Sequence, residues 1–105
     1  MEKIQEISNE IEDELRDACK YVDKALQYKE SDKTSGDMYY QLSVEEMGHV
    51  DRLHKRVVDL ISEYRKEKGD PPPEIQWRYD FLHKLHTEKA TEIKVKQMMY
   101  KEGFK

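Results

Sequence analysis

Glycine and proline are scarce in this chain, with four glycines and three prolines in 105 residues. That leaves too little turn chemistry for a fold of many short strands. A single cysteine, Cys19, excludes an intrachain disulfide framework and suits a reducing compartment. No stretch approaches the roughly 18–20 consecutive apolar residues of a membrane span. Residues 1–15 are acid-rich and hold no apolar run of the signal-peptide kind. The expectation is a cytoplasmic protein with no membrane partner. Blocks of one charge sign are also missing. The net charge is −4, and acids and bases are interleaved, so nucleic acid is not an expected partner.

What is present is charge and helix-forming residues. Charged residues make up 40% of the chain and the hydrophobic set 36%. This suits long helices with one wet face, so the expected class is all-α, in a single domain over residues 1–105. Helices are expected at about 2–30, 36–68 and 74–102. The first break, at residues 31–37, carries Ser, Asp, Thr and Gly, and Ser35 or Asp37 can cap the following helix. So short a loop makes the first two helices an antiparallel hairpin. The second break is Gly69 followed by Asp70 and three prolines, a stiff extended corner.

Helical spacing sets the expected core. In the first helix the seam reads Ile4, Ile7, Ile11, Glu14, Ala18, Tyr21, Ala25, Tyr28, widened on one side by Leu15, Val22 and Leu26. In the second it reads Leu42, Glu46, His49, Leu53, Val57, Leu60, Tyr64. The third helix has two stripes, roughly 130° apart at ~100° per residue. One is Ile75, Tyr79, Leu82, His86, Ala90, Ile93, Tyr100, and the other is Trp77, Phe81, Leu85, Glu88, Glu92, Val95, Met99. A helix with two apolar sides touches two partners, here its own hairpin and a second chain.

Glu14, Glu46 and His49 are the wrong chemistry for a core, because buried charge costs free energy unless it is paired. Counting out from the turn at ~1.5 Å per residue, all three fall within about one helical turn of the same level. A carboxylate from one helix and a Glu-x-x-His from the next is half of the ligand set that di-iron proteins project into a four-helix bundle. The third helix has no second Glu-x-x-His. A two-fold dimer supplies the missing half, giving four carboxylates and two histidines from two hairpins. Glu92 or Glu88 is the alternative, completing a site within one chain. Iron suits this donor set, at two ions per dimer, and Mn or Zn can take it as well. Tyr21, facing the same core, is placed to donate a hydrogen bond to a ligand carboxylate.

Glu14, Ala18 and Tyr21, followed after the turn by Glu45-Glu46-Met47-Gly48-His49-Val50-Asp51-Arg52-Leu53, resemble the first half of a ferritin-like domain. The chain is similar over about residues 10–60 to rubrerythrins and to the short encapsulated ferritins. Encapsulated ferritins carry one such hairpin per chain and build their ferroxidase centre across a dimer. The resemblance therefore implies Fe(II) oxidation at Glu14, Glu46 and His49, in the service of iron handling or oxidative-stress protection. It also leaves a protein shell as a candidate partner. The chain departs from the family in having no second Glu-x-x-His and no rubredoxin-like cysteine pair, and residues 98–105 do not resemble an encapsulin-targeting tail.

The remaining candidates have plainer readings. His54 is expected on the surface, His83 in a surface pair with Asp80, His86 as a hydrogen-bonded core histidine, and Cys19 as a small buried filler. Trp77, Phe81 and Tyr79 read as packing or interface anchors. The rival to a metal site is a metal-free structural or adaptor bundle, in which Glu46 and His49 are an ion pair that fixes register.

Overall fold

A computed structural model describes residues 2–103. Three α-helices, α1 (Glu2–Tyr28), α2 (Lys33–Lys68) and α3 (Pro73–Glu102), account for nearly all of them, and no strand occurs among the described residues. The 36 residues of α2 at ~1.5 Å rise explain the 55 Å long axis of the molecule. α1 and α2 form the expected hairpin, and α3 returns along it. It packs mainly on α1 and only slightly on α2.

The first turn is tighter than expected. The Asp32 carboxylate caps α2 by accepting from the Ser35 backbone N–H at 3.2 Å and from its hydroxyl at 2.6 Å. The helix therefore starts at Lys33, and Ser35 and Asp37 lie inside it. Gly36 is not a breaker. It is a point of close approach, where a Cβ would stand 3.3 Å from the Ala25 carbonyl and 2.8 Å from the Tyr100 hydroxyl. Gly69 ends α2 at φ 79°, its N–H donating to the Arg65 carbonyl at 3.0 Å. Pro73 opens α3, where a missing N–H costs nothing.

The buried stripe of α1 is Ile4, Ser8, Ile11, Leu15, Ala18, Val22, Ala25, an unbroken 4-3 alternation. It lies on the side that Leu15 and Val22 were expected only to widen. The stripe turns that way because α3 docks against it, and Ile93 is fully buried there. Ile7, Glu14, Tyr21 and Tyr28 are left as a half-buried row on the opposite flank. α2 repeats the pattern. Its buried positions are Gly36, Ser43, Met47, Val50 and Val57, while Leu42, Glu46, Leu53, Leu60 and Tyr64 are half-buried beside them. The hairpin thus has one side closed by α3 and one side open.

Small residues let the first two helices approach. Ser43 is fully buried, and its hydroxyl donates to the Ala18 carbonyl at 2.7 Å and accepts from the Gln97 amide at 2.9 Å. One hydroxyl therefore ties all three helices and leaves no buried polar atom of its own unpaired. α3 divides as its two stripes require. Ile75, Tyr79, Leu82, His86, Ala90, Ile93 and Tyr100 face the hairpin, while Trp77, Phe81, Leu85, Val95 and Met99 are exposed.

Candidate metal centre

The open side of the hairpin carries a cluster of three ligand-type side chains. Glu14 is held by α1, and Glu46 and His49 by α2, one turn apart. The two arms are antiparallel and closely packed, so these positions meet at one level. His49 Nδ1 lies 3.3 Å from Glu14 Oε2 and 3.8 Å from Glu46 Oε2. One ligand atom from each of the three falls within 4.8 Å of the others, and no other such group occurs among the described residues.

The site is not sealed in a core, as the expected seams implied. The side chain of His49 is 49% exposed, that of Glu14 28% and that of Glu46 20%. All three sit on the flank left free when α3 took the other side of the hairpin. Glu14 and His49 border a cavity of about 350 Å³ lined also by Glu10, Asp13, Arg52 and Leu53. Glu10 stands four residues before Glu14 on the same helix, a spacing from which its place could have been read.

The donor set fits a divalent cation. Two half-buried carboxylates share one imidazole, and among the described residues neither has a lysine or arginine within ion-pair distance. Negative charge partly withdrawn from water without a fixed counter-charge is a site that a cation stabilises. Oxygen and imidazole donors of this kind suit iron and manganese, and zinc as well.

The other sequence-based candidates lie elsewhere. Glu92 pairs with Lys89 at 3.3 Å and Lys96 at 3.4 Å, and Lys96 in turn holds Asp23 of α1 at 2.8 Å. Those lysines keep its carboxyl below the usual value, and it is exposed charge beside the α1–α3 seam. Glu88 is likewise exposed. Neither reaches Glu14, because α3 docks on the opposite side of the hairpin. Tyr21 stacks on Tyr39 with ring centroids 6.1 Å apart, and among the described residues it makes no hydrogen bond to Glu14 or Glu46.

Three further readings are corrected by packing. His83 stacks on His54 rather than pairing with Asp80, which accepts instead from Gln76 at 3.0 Å. The Nε2 atom of His86 is buried without a hydrogen-bond partner. Cys19 is only half-buried, its thiol 3.8 Å from the Asp23 carboxylate.

No protein-family model, no curated protein and no solved structure matches this chain. No described helix is long and apolar enough to cross a membrane.

Proposed function

We propose that the chain is a ferritin-like metal-binding protein whose di-iron carboxylate site forms across a two-fold dimer, and that it oxidises Fe(II) there as its substrate. The observation that carries this reading is the convergence of Glu14, Glu46 and His49 on the hairpin face that α3 leaves open. A second hairpin laid on that face makes a four-helix bundle, covers the half-buried rows, and brings the ligands to four carboxylates and two imidazoles.

Glu14 and Glu46 bind the substrate iron and carry the negative charge that favours the ferric product. His49 would add an imidazole nitrogen, and with only three protein donors per chain coordination positions would remain open for the oxidant. Two bound Fe(II) ions give one electron each to dioxygen. With two protons from solvent the products are two Fe(III) and one hydrogen peroxide. Burial of the site by the second chain excludes bulk water and strengthens each of these charge interactions.

A second reading, a metal-free structural bundle, has its own support in the exposed stripe of α3. Trp77 is 67% exposed and stacks on Phe81 at 5.4 Å, with Leu85 one turn further on. Such a stripe is a contact surface whether or not metal binds.

An anaerobic Fe(II) titration of metal-stripped protein, with native mass read alongside, tests the first reading. Saturation near one iron per chain in species of even chain number is the expected result. Admitting air then oxidises the iron, and the Glu46→Ala variant does not. Absence of Fe(II), Mn(II) and Zn(II) binding at the triad removes the reading and leaves the structural bundle.

A further inference from the structure

Three of the chain's four histidines line one cavity on the other side of the molecule from the triad's open face. The cavity holds about 290 Å³ where the three helices meet. α1 contributes Ser8 and Ile11, α2 contributes His54 and Val57, and α3 contributes Asp80, His83 and His86. The rings of His54 and His83 stack across the α2–α3 seam, with centroids 5.1 Å apart and planes inclined by 23°.

His86 stands one turn beyond His83. Its buried Nε2 has no hydrogen-bond partner, and the Glu12 carboxylate lies 3.5 Å away. The Glu12 carboxylate is thus within ion-pair distance of a ring nitrogen that makes no hydrogen bond. A neutral imidazole has a free lone pair, which is the form that binds metal.

We propose that His54, His83 and His86 form a second metal site, of the zinc class, bridging α2 and α3. Three imidazole nitrogens with an open fourth position are a zinc donor set, and copper or nickel also accept it. The triad on the open face is carboxylate-rich by comparison, so the two sites differ in the metals they favour. His83 and His86 supply donors from one helix at i, i+3, and His54 supplies the third from another. Asp80, one turn before His83, also lines the cavity. In the metal-free chain the rings line the cavity without converging on one point, since only the triad gathers three ligand atoms within 4.8 Å among the described residues. Binding therefore unstacks His54 from His83 and turns the rings to a common centre. The metal would fasten α3 to α2, the least extensive of the three helix contacts.

The test removes the triad first, so it does not depend on the function proposed for it. In the Glu14→Ala/Glu46→Ala/His49→Ala variant the only histidines left are His54, His83 and His86. Titration with Co(II), a spectroscopic stand-in for Zn(II), should give one ion per chain and the intense visible bands of a tetrahedral site. All three imidazole NMR signals should shift or broaden together, and Zn(II) should displace the cobalt. Adding His83→Gln should weaken binding at least tenfold. No Co(II) or Zn(II) binding by the triad variant overturns the proposal. So does binding that leaves the imidazole signals unmoved, a result that does not require His83→Gln to fold.

Discussion

His49 Nδ1 lies 3.3 Å from Glu14 Oε2, although the two residues are 35 positions apart and on opposite arms of the hairpin. Glu46 is held to the same imidazole at 3.8 Å. Without a cation, two carboxylates sharing one histidine contribute little stability, because partial burial costs what their attraction returns. Replacing Glu14, Glu46 and His49 together by leucine should therefore raise the metal-free melting temperature, by roughly 1 kcal/mol or a few degrees. The same variant should lose Fe(II) binding at the triad. Thermal melts and an anaerobic Fe(II) titration read the two effects separately. A metal-free variant less stable than the parent would mean that the triad is a structural ion pair.

Two glycines of α2 should respond to alanine with opposite signs. A Cβ at Gly48 meets no atom within 4 Å, so Gly48→Ala gains helix propensity with nothing to displace. It should stabilise the chain by about 0.5–1 kcal/mol. A Cβ at Gly36 stands 2.8 Å from the Tyr100 hydroxyl and 3.3 Å from the Ala25 carbonyl. The carbonyl is backbone and cannot swing away, so Gly36→Ala must push α1 and α2 apart. The expected net loss is about 1–3 kcal/mol. Urea unfolding of both variants checks the contrast, and a destabilised Gly48→Ala would place an unrecognised neighbour over the residue beside His49.

Ser43 is the polar centre of the core. Ser43→Ala removes a donor to the Ala18 carbonyl and an acceptor for Gln97, leaving a buried carbonyl short of one bond. A loss of about 1–2 kcal/mol is expected. Ser43→Val should be worse, because its second methyl enters a fully buried position between closely spaced helices. Equal stability of the alanine variant and the parent would show that the hydroxyl is dispensable.

The helices and the axial meeting of Glu14, Glu46 and His49 were legible in the sequence, because 4-3 spacing and rise per residue are local properties. What was not legible is which side of each stripe is fully buried. Ile7 and Ser8, or Glu46 and Met47, are adjacent positions about 100° apart, and either can face inward until a third helix chooses. α3 chose the side of Leu15, Val22 and Met47, so the triad lies on the flank. Polar residues in buried positions were hidden for the same reason. Ser43 reads as a neutral helical residue until Ala18 and Gln97 are placed beside it. His54 and His83 read as surface groups and are exposed, but that they stack on each other depends on how α3 docks. The cap at Asp32 was missed because Gly36 looks like a turn residue, and only the close approach of Ala25 and Tyr100 explains it inside a helix.

Tyr100 should govern the alkaline limb of stability. It is buried near the end of α3, and its hydroxyl donates to the Asp37 carboxylate at the start of α2. Burial, reinforced by the adjacent carboxylate, pushes the phenol up to about 12 from an ordinary value of 10.0. A folded value raised above the unfolded one means that the contribution is fully present below about pH 10 and is lost as the pH rises toward 12. Asp37 moves the other way, held below the usual carboxylate range first by the Tyr100 hydroxyl and then by Lys33. Its contribution is present above the ordinary carboxylate value and is lost as the pH falls through the lowered one. Tyr100→Phe should thus lower stability at neutral pH and flatten the decline between about pH 10 and 12. The gap between the urea midpoints of parent and variant should narrow from neutral pH to about pH 11, since at the higher pH the parent has already lost about half of what the raised phenol contributes. A constant gap between them at both pH values would place the alkaline transition on another tyrosine.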